Sequence, residues 1–196
     1  MQFAADPLVL LEWTAVVLNV GFTIGIAWHR RWSWILGFVA SAISIGLYGI
    51  KDVWAMTGLN VFYLVMAVYG WVQWGRTGND GRIHTWIWKR HALVLTACAL
   101  LAMGMYLVLR DALNGTFPGM DAYVTVLSVV ATWMMARRIL ENWVYWIAAD
   151  LVAVYFNWAL GYHGFAVLYV LYMVLSTLGL VRWLRQWRAE RVPSRP

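Results

Sequence analysis

The sequence predicts an all-α integral membrane protein with seven transmembrane helices. Of its residues, 63% are hydrophobic and only 12% are charged. Long apolar runs alternate with short polar segments, and the basic residues gather in every second connecting segment. A soluble domain averages about 25% charged residues, and a chain this apolar lacks the polar side chains to cover a surface in water. We therefore expect a multi-pass protein of the cell inner membrane, with the lipid bilayer as its solvent.

Seven apolar runs supply the predicted spans. Each run has about the 17–25 residues that a helix needs to cross the hydrocarbon core. An open strand would leave its backbone polar groups unsatisfied in lipid, which excludes it. The spans are residues 9–28, 33–50, 54–74, 91–109, 120–136, 142–160 and 165–184.

Lysine and arginine predict the orientation. The loops of one side and the C-terminal tail hold 13 of the 15 basic residues, and the opposite loops hold only Lys51 and Arg110. Cytoplasmic loops carry such an excess of basic residues. We therefore expect the N-terminus outside and the C-terminus in the cytoplasm, which requires an odd number of spans. The net charge of +6 then reflects topology, and no nucleic-acid partner is expected.

An internal duplication organises the spans. An offset of 109 residues aligns spans 1–3 with spans 5–7 without a gap. The matched pairs are Trp34 with Trp143, Tyr63 with Tyr172, Gly70 with Gly179, Trp74 with Trp183, Glu12 with Asp121, and Ser41 with Asp150. A second copy that begins outside needs one helix to bring the chain back, and span 4 does this. Such parallel repeats are typical of transporters whose substrate site lies near the midplane between the repeats.

The duplication divides a single membrane domain, 1–196, into four parts. Residues 9–75 and 120–184 are predicted to be parallel three-helix bundles. Residues 76–110 form a cytoplasmic loop and linker helix, and residues 185–196 form a basic cytoplasmic tail.

Apart from Asp121 at the edge of span 5, two carboxylates lie within the predicted spans, and charge inside a membrane is costly and usually functional. Glu12 lies near the outer end of span 1, and Asp150 lies close to the middle of span 6. No lysine or arginine lies mid-span to pair with either one. We expect Asp150 to face a central cavity.

Polar and aromatic side chains form a stripe on four of the helices. At about 100° per residue, the members of each stripe fall within an arc of about 60–80°. The candidate substrate-binding residues are Glu12, Trp34, Ser41, Tyr48, Asn60, Tyr63, Trp143, Trp146, Asp150, Asn157, Tyr169 and Tyr172. Four stripes facing one axis would suit a planar, polar or cationic ring compound. The alternative is structural, because tryptophan near span ends often forms an interfacial belt and serine or asparagine often joins helices.

Several functional classes lack their motifs here. The chain has no phosphate-binding loop, no zinc-protease or hydrolase motif, and no lysine in span 7 that could hold retinal. Cys98 is the only cysteine, so no metal site built from cysteines is expected. We expect no cofactor, no metal and no enzymatic activity.

Two segments carry a resemblance to a known family. Residues 58–63, followed by Tyr69, Gly70, Trp71 and Trp74, resemble the third core helix of the PnuC family of vitamin transporters. Residues 141–150, with Trp143, Trp146 and Asp150, resemble that family's second signature. The chain departs from nicotinamide riboside members at Asn60 and Asp150, where those members often have glutamine and asparagine.

The resemblance implies a SWEET-like fold, often assembled as a homotrimer, and facilitated diffusion of nicotinamide riboside. Thiamine is the alternative substrate, since both vitamins carry a fixed positive charge. A cytoplasmic vitamin kinase would trap the substrate by phosphorylation. A membrane receptor or sensor that binds a similar ligand without passing it is a further alternative.

Overall fold

The structure is a computed structural model that describes residues 7–50, 54–77, 81–112, 118–161 and 163–191, without the side chains of residues 54, 55, 77, 108–112, 118–121 and 156. Seven α-helices lie within these ranges. They are α1 (Pro7–Ala27), α2 (Ser33–Ile50), α3 (Trp54–Thr77), α4 (Trp88–Ala112), α5 (Pro118–Ala136), α6 (Asn142–Ala159) and α7 (His163–Ala189). Lys51, the side chains of Arg110 and Asp121, and the tail beyond residue 191 lie outside the described residues.

The all-helical fold with seven helices is confirmed. Four of the helices in the described ranges are long and apolar enough to cross a membrane: Pro7–Ala27, Ser33–Ile50, Trp88–Leu107 and His163–Ala189. Residues Ala122–Ala136 form a shorter apolar helix. Polar residues such as Asn60 in α3 and Asp150 in α6 dilute the apolar character of the helices that carry them. The crossing of all seven helices and the orientation of the chain stay predictions.

The chain divides into two compact units, with the border between Gly81 and Arg82. In the first unit, α2 contacts both α1 and α3. In the second unit, α6 likewise contacts α5 and α7, and α4 contacts α5.

The short loops that open α2 and α6 have the same backbone geometry. His29 and Arg138 are 109 residues apart, and each has a φ of 54°, in the left-handed region. The next residue in each loop donates its N–H back into the preceding helix, over 2.8 Å from Arg30 to Gly25 O and 3.0 Å from Ile139 to Met134 O. The offset read from the sequence therefore recurs in the backbone hydrogen bonds.

The packing behind these loops is repeated as well. Trp34 of α2 lies edge-on to Trp74 of α3, with ring centroids 5.7 Å apart and an interplanar angle of 84°. The equivalent pair, Trp143 and Trp183, has centroids 5.5 Å apart at 90°. All four rings are buried.

The segment 82–87 lies against the α5–α6 loop of its own unit. The His84 N–H donates to Arg138 O at 2.9 Å, and the Leu140 N–H donates to His84 O at 2.8 Å. Glu190 accepts from the Ile83 N–H at 3.3 Å, which ties the end of α7 to the same segment. Burial lowers the pKa of the Arg138 guanidinium below its usual value, and the Glu190 carboxylate opposes part of this shift.

Candidate functional site

Asp150 is a buried carboxylate on the face of α6 that meets α7. Its side chain is only 4% exposed, as is that of Ser176 on α7. The Ser176 hydroxyl donates to Asp150 Oδ2 at 3.5 Å. Within the described residues no basic side chain forms a salt bridge with Asp150. A buried charge without a partner is costly, so this carboxylate is suited to a cation or to a hydrogen-bond donor supplied from outside the protein.

Tyr172 of α7 lies near this carboxylate, and Tyr169 packs against Tyr172. Tyr172 lies close enough to Asp150 to interact with it electrostatically. The rings of Tyr169 and Tyr172 meet edge-to-face, with centroids 6.3 Å apart. Each tyrosine is half-buried, so both rings keep some aromatic surface that a flat ligand can contact.

Asn157 lies two turns beyond Asp150 on α6 and is also buried. Its amide Nδ2 donates to Ala153 O in the same helix at 2.7 Å. Asn60 of α3 behaves alike, donating to Met56 O at 2.9 Å. Each amide therefore uses one of its two hydrogens within its own helix.

Trp143 and Trp146 of α6 have different surroundings. Trp143 is fully buried against Gly179 and Trp183 of α7. Trp146 is half-buried and packs on the core cluster around Leu127. Its indole Nε1 is buried and has no hydrogen-bond partner in the described part of the chain. The Trp143 Nε1 is likewise buried without a partner in that part of the chain. The rings differ in exposure: the complete burial of Trp143 favours a role in packing, whereas the half-buried Trp146 keeps a surface that a ligand can contact.

The first unit holds the remaining predicted residues. Trp34 is buried against Trp74, and its burial also favours packing. Ser41 is buried on α2 at the position that Asp150 occupies on α6. Tyr48 is half-buried, and Glu12, which is exposed on α1, lies close enough to interact electrostatically with it. Tyr63 of α3 is half-buried, with its ring 5.9 Å from that of Phe62.

Ser176 is a polar neighbour of Asp150 that the predicted site omits. Its sequence signal was its position on the same helical face as Tyr169 and Tyr172, but serines in membrane helices more often join helices. The described residues contain no cluster of histidine, cysteine, aspartate or glutamate that could hold a metal ion. The polar groups near Asp150 can bind and orient a ligand.

The sequence profile of the nicotinamide mononucleotide transporter family matches residues 9–185. The chain belongs to this family. The predicted resemblance to PnuC is thus confirmed. This is a family of transporters, not of enzymes, and the chain is a multi-pass protein of the inner membrane.

Two similar proteins have names that specify different substrates. The riboflavin/roseoflavin transporter RibM of Streptomyces davaonensis is 29% identical over 195 residues, covering 94% of this chain and 89% of RibM. The nicotinamide riboside transporter PnuC of Escherichia coli strain K12 is 24% identical over 212 residues, covering 91% of this chain and 87% of PnuC.

A solved structure of the family has the same fold. The crystal structure of the vitamin B3 transporter PnuC matches with a TM-score of 0.75 at 18% identity, covering 95% of this chain and 86% of that one. The chain is therefore a vitamin-type transporter with the PnuC fold.

Proposed function

We propose that this transporter takes up nicotinamide riboside by facilitated diffusion. The buried Asp150 carboxylate is the observation that carries the proposal. Nicotinamide riboside has a permanently cationic ring, and a carboxylate without a basic partner among the described residues complements that charge. The E. coli relative that carries the same substrate in its name supports this choice.

The neighbouring side chains fit the rest of such a ligand. Tyr172 offers an aromatic ring near the carboxylate, Tyr169 packs against Tyr172, and the half-buried Trp146 ring lies one turn before Asp150 on α6. A cationic ring gains attraction both from the carboxylate and from the faces of aromatic rings. We propose that Asn157 contributes polar contacts to the same ligand.

Retention of the vitamin requires a cytoplasmic reaction that converts the free substrate into another compound. A facilitated diffuser cannot concentrate its substrate beyond electrochemical equilibrium. We propose that a cytoplasmic kinase phosphorylates the vitamin, which keeps the inward gradient. A homo-oligomeric assembly, a trimer by resemblance, belongs to the same proposal.

Riboflavin is the second candidate substrate. The 29% identity with RibM over nearly the whole chain favours it. Its flat, uncharged ring system would also lie against tyrosines, and its imide N–H could donate to the Asp150 carboxylate. The charge of the ligand therefore separates the two candidates. Thiamine is a cation and belongs with nicotinamide riboside in this comparison.

Uptake into proteoliposomes tests the substrate. We expect saturable uptake of labelled nicotinamide riboside, with weaker uptake of riboflavin. Asp150→Asn should raise the KM for nicotinamide riboside about 10-fold or more, since it removes the charge and keeps the shape. Glu190→Gln is the matched control, because Glu190 lies just beyond the end of α7, about 20 Å along the helix axis from Ser176. Its uptake should equal that of the wild type.

Two results would contradict the proposal. Saturable uptake of riboflavin without uptake of either cationic vitamin would make riboflavin the substrate. Accumulation above electrochemical equilibrium, driven by a pH or sodium gradient at clamped membrane potential, would overturn facilitated diffusion.

A further inference from the structure

The Ser176 hydroxyl has an unusual partner for a residue inside a helix. Thr14, Thr132 and Thr177 each donate to the carbonyl four residues earlier in their own helix, at 2.7–2.8 Å. This local bond is the usual one for serine and threonine in helices. Ser176 instead donates across the α6–α7 contact to Asp150, at a position that is 4% exposed. The hydroxyl is thus directed at the carboxylate.

In the internal repeat, the first unit has neither the carboxylate nor the serine that donates to it. The first-unit equivalents of Asp150 and Ser176 are Ser41 on α2 and Ala67 on α3. Both are buried, as their counterparts are. The unit that lacks the carboxylate therefore also lacks the hydroxyl. Ala67 shows in addition that the equivalent position of the first unit, on α3, is occupied by a buried alanine.

We infer that Ser176 is a positioning residue that orients the Asp150 carboxylate and so sets the preference for cationic over neutral substrates. This inference rests on the proposed function. The hydrogen bond occupies Oδ2, and no described residue donates to the other oxygen, Oδ1. One bonded oxygen restricts rotation of the carboxylate and leaves Oδ1 for the ligand.

The test is a double-mutant cycle of Ser176→Ala and Asp150→Asn, measured as proteoliposome uptake. In the wild-type background, Ser176→Ala should raise the KM for nicotinamide riboside about 3- to 10-fold, with Vmax unchanged. In the Asp150→Asn background the same substitution should change the KM less than about 2-fold, because its partner charge is gone. The KM of residual riboflavin uptake should rise less in Ser176→Ala than the KM for nicotinamide riboside, because a neutral ligand depends less on the charge of Asp150.

Thr177→Ala is the matched control. It removes a hydroxyl from the next residue of α7, where the hydroxyl donates to Met173 O at 2.8 Å and the side chain is exposed. Its KM should be that of the wild type. A monodisperse size-exclusion profile and an unchanged unfolding temperature for Ser176→Ala would show that the fold is intact, as the alanine at position 67 leads us to expect.

Each remaining outcome overturns a distinct claim. An unchanged KM in Ser176→Ala, beside a raised KM in Asp150→Asn, rejects the positioning role and leaves the proposed function standing. An equal effect of Ser176→Ala in both backgrounds makes Ser176 a packing residue. Absence of nicotinamide riboside uptake by the wild type rejects the proposed function and this inference with it.

Discussion

Glycine at position 179 allows the Trp143 indole to lie directly on the α7 backbone. A Cβ atom there would lie 2.7 Å from Trp143 Cε2, well inside van der Waals contact. The same holds in the first unit, where a Cβ at Gly70 would lie 2.5 Å from Trp34 Cδ2. In both places the obstacle is a buried ring rather than a flexible side chain, so relief requires a helix to move. We infer that Gly179 sets the distance between α6 and α7, and that Gly70 sets the distance between α2 and α3.

Gly179→Ala should therefore destabilise the protein, by about 1–3 kcal/mol, which is the usual cost of overpacking a core. Thermal unfolding in detergent measures the change. Gly104→Ala is the control, because that mid-helix glycine of α4 has nothing within 4 Å of an added Cβ. Alanine there should leave stability unchanged or raise it by about 0.5–1 kcal/mol, since glycine is the poorer helix former. Equal unfolding temperatures for the two variants would refute the spacing role.

At the scale of elements, two glutamate side chains of the second unit hold the segment 82–87 by accepting hydrogen bonds from its backbone N–H groups. Glu141 Oε1 accepts from the Trp86 N–H at 3.1 Å and lies 3.8 Å from His91 Nε2. Glu190 accepts from the Ile83 N–H at 3.3 Å. These contacts lie on either side of the backbone pairing at His84. Two carboxylates thus hold a non-helical segment against the rest of the second unit.

Glu141→Ala should accelerate amide hydrogen exchange at Trp86 about 5- to 10-fold, because the Trp86 N–H loses its acceptor. Glu190→Ala should do the same at Ile83. The His84 amide is the internal reference, since its acceptor is the backbone carbonyl of Arg138 and neither substitution removes it. Uniform acceleration of all three amides in either variant would instead show that the whole segment opens as one unit.

The helical faces also show where prediction from sequence stops. Periodicity placed Trp143 and Asp150 on one face of α6, and the structure has both on the face toward α7. It could not separate a residue that packs from one that meets a ligand, because both give the same angular signal. Burial separates them in part: Trp143 is sealed against Gly179, whereas Asp150 has a polar neighbour and an oxygen to which no described residue donates. The partner of Asp150, Ser176, depends on helix contacts that one sequence does not give.

At the scale of the whole molecule, composition and the 109-residue offset predicted most of the fold. The seven helices follow the apolar runs, and α6 begins at Asn142 as α2 begins at Ser33, one offset earlier. The substrate was less predictable, because two family members with different vitamins match nearly the whole chain. The choice between them depends on a few side chains in a largely apolar sequence.

The number of crossings is the last property to test, and it separates seven spans from four. Seven spans place position 8 outside and position 188 in the cytoplasm, whereas four place both on one side. The two ends of α7, His163 and Arg188, are about 38 Å apart along the helix axis, which exceeds the roughly 30 Å hydrocarbon core. They should therefore lie on opposite sides.

Cys98 is the only native cysteine, so Cys98→Ala provides a background for Leu8→Cys, His163→Cys and Arg188→Cys, at three exposed positions. We expect a membrane-impermeant maleimide to label positions 8 and 163 in intact cells, and position 188 only after permeabilisation. Labelling of positions 8 and 188 from the same side would refute the odd number of spans, and labelling of 163 with 188 would show that α7 does not cross.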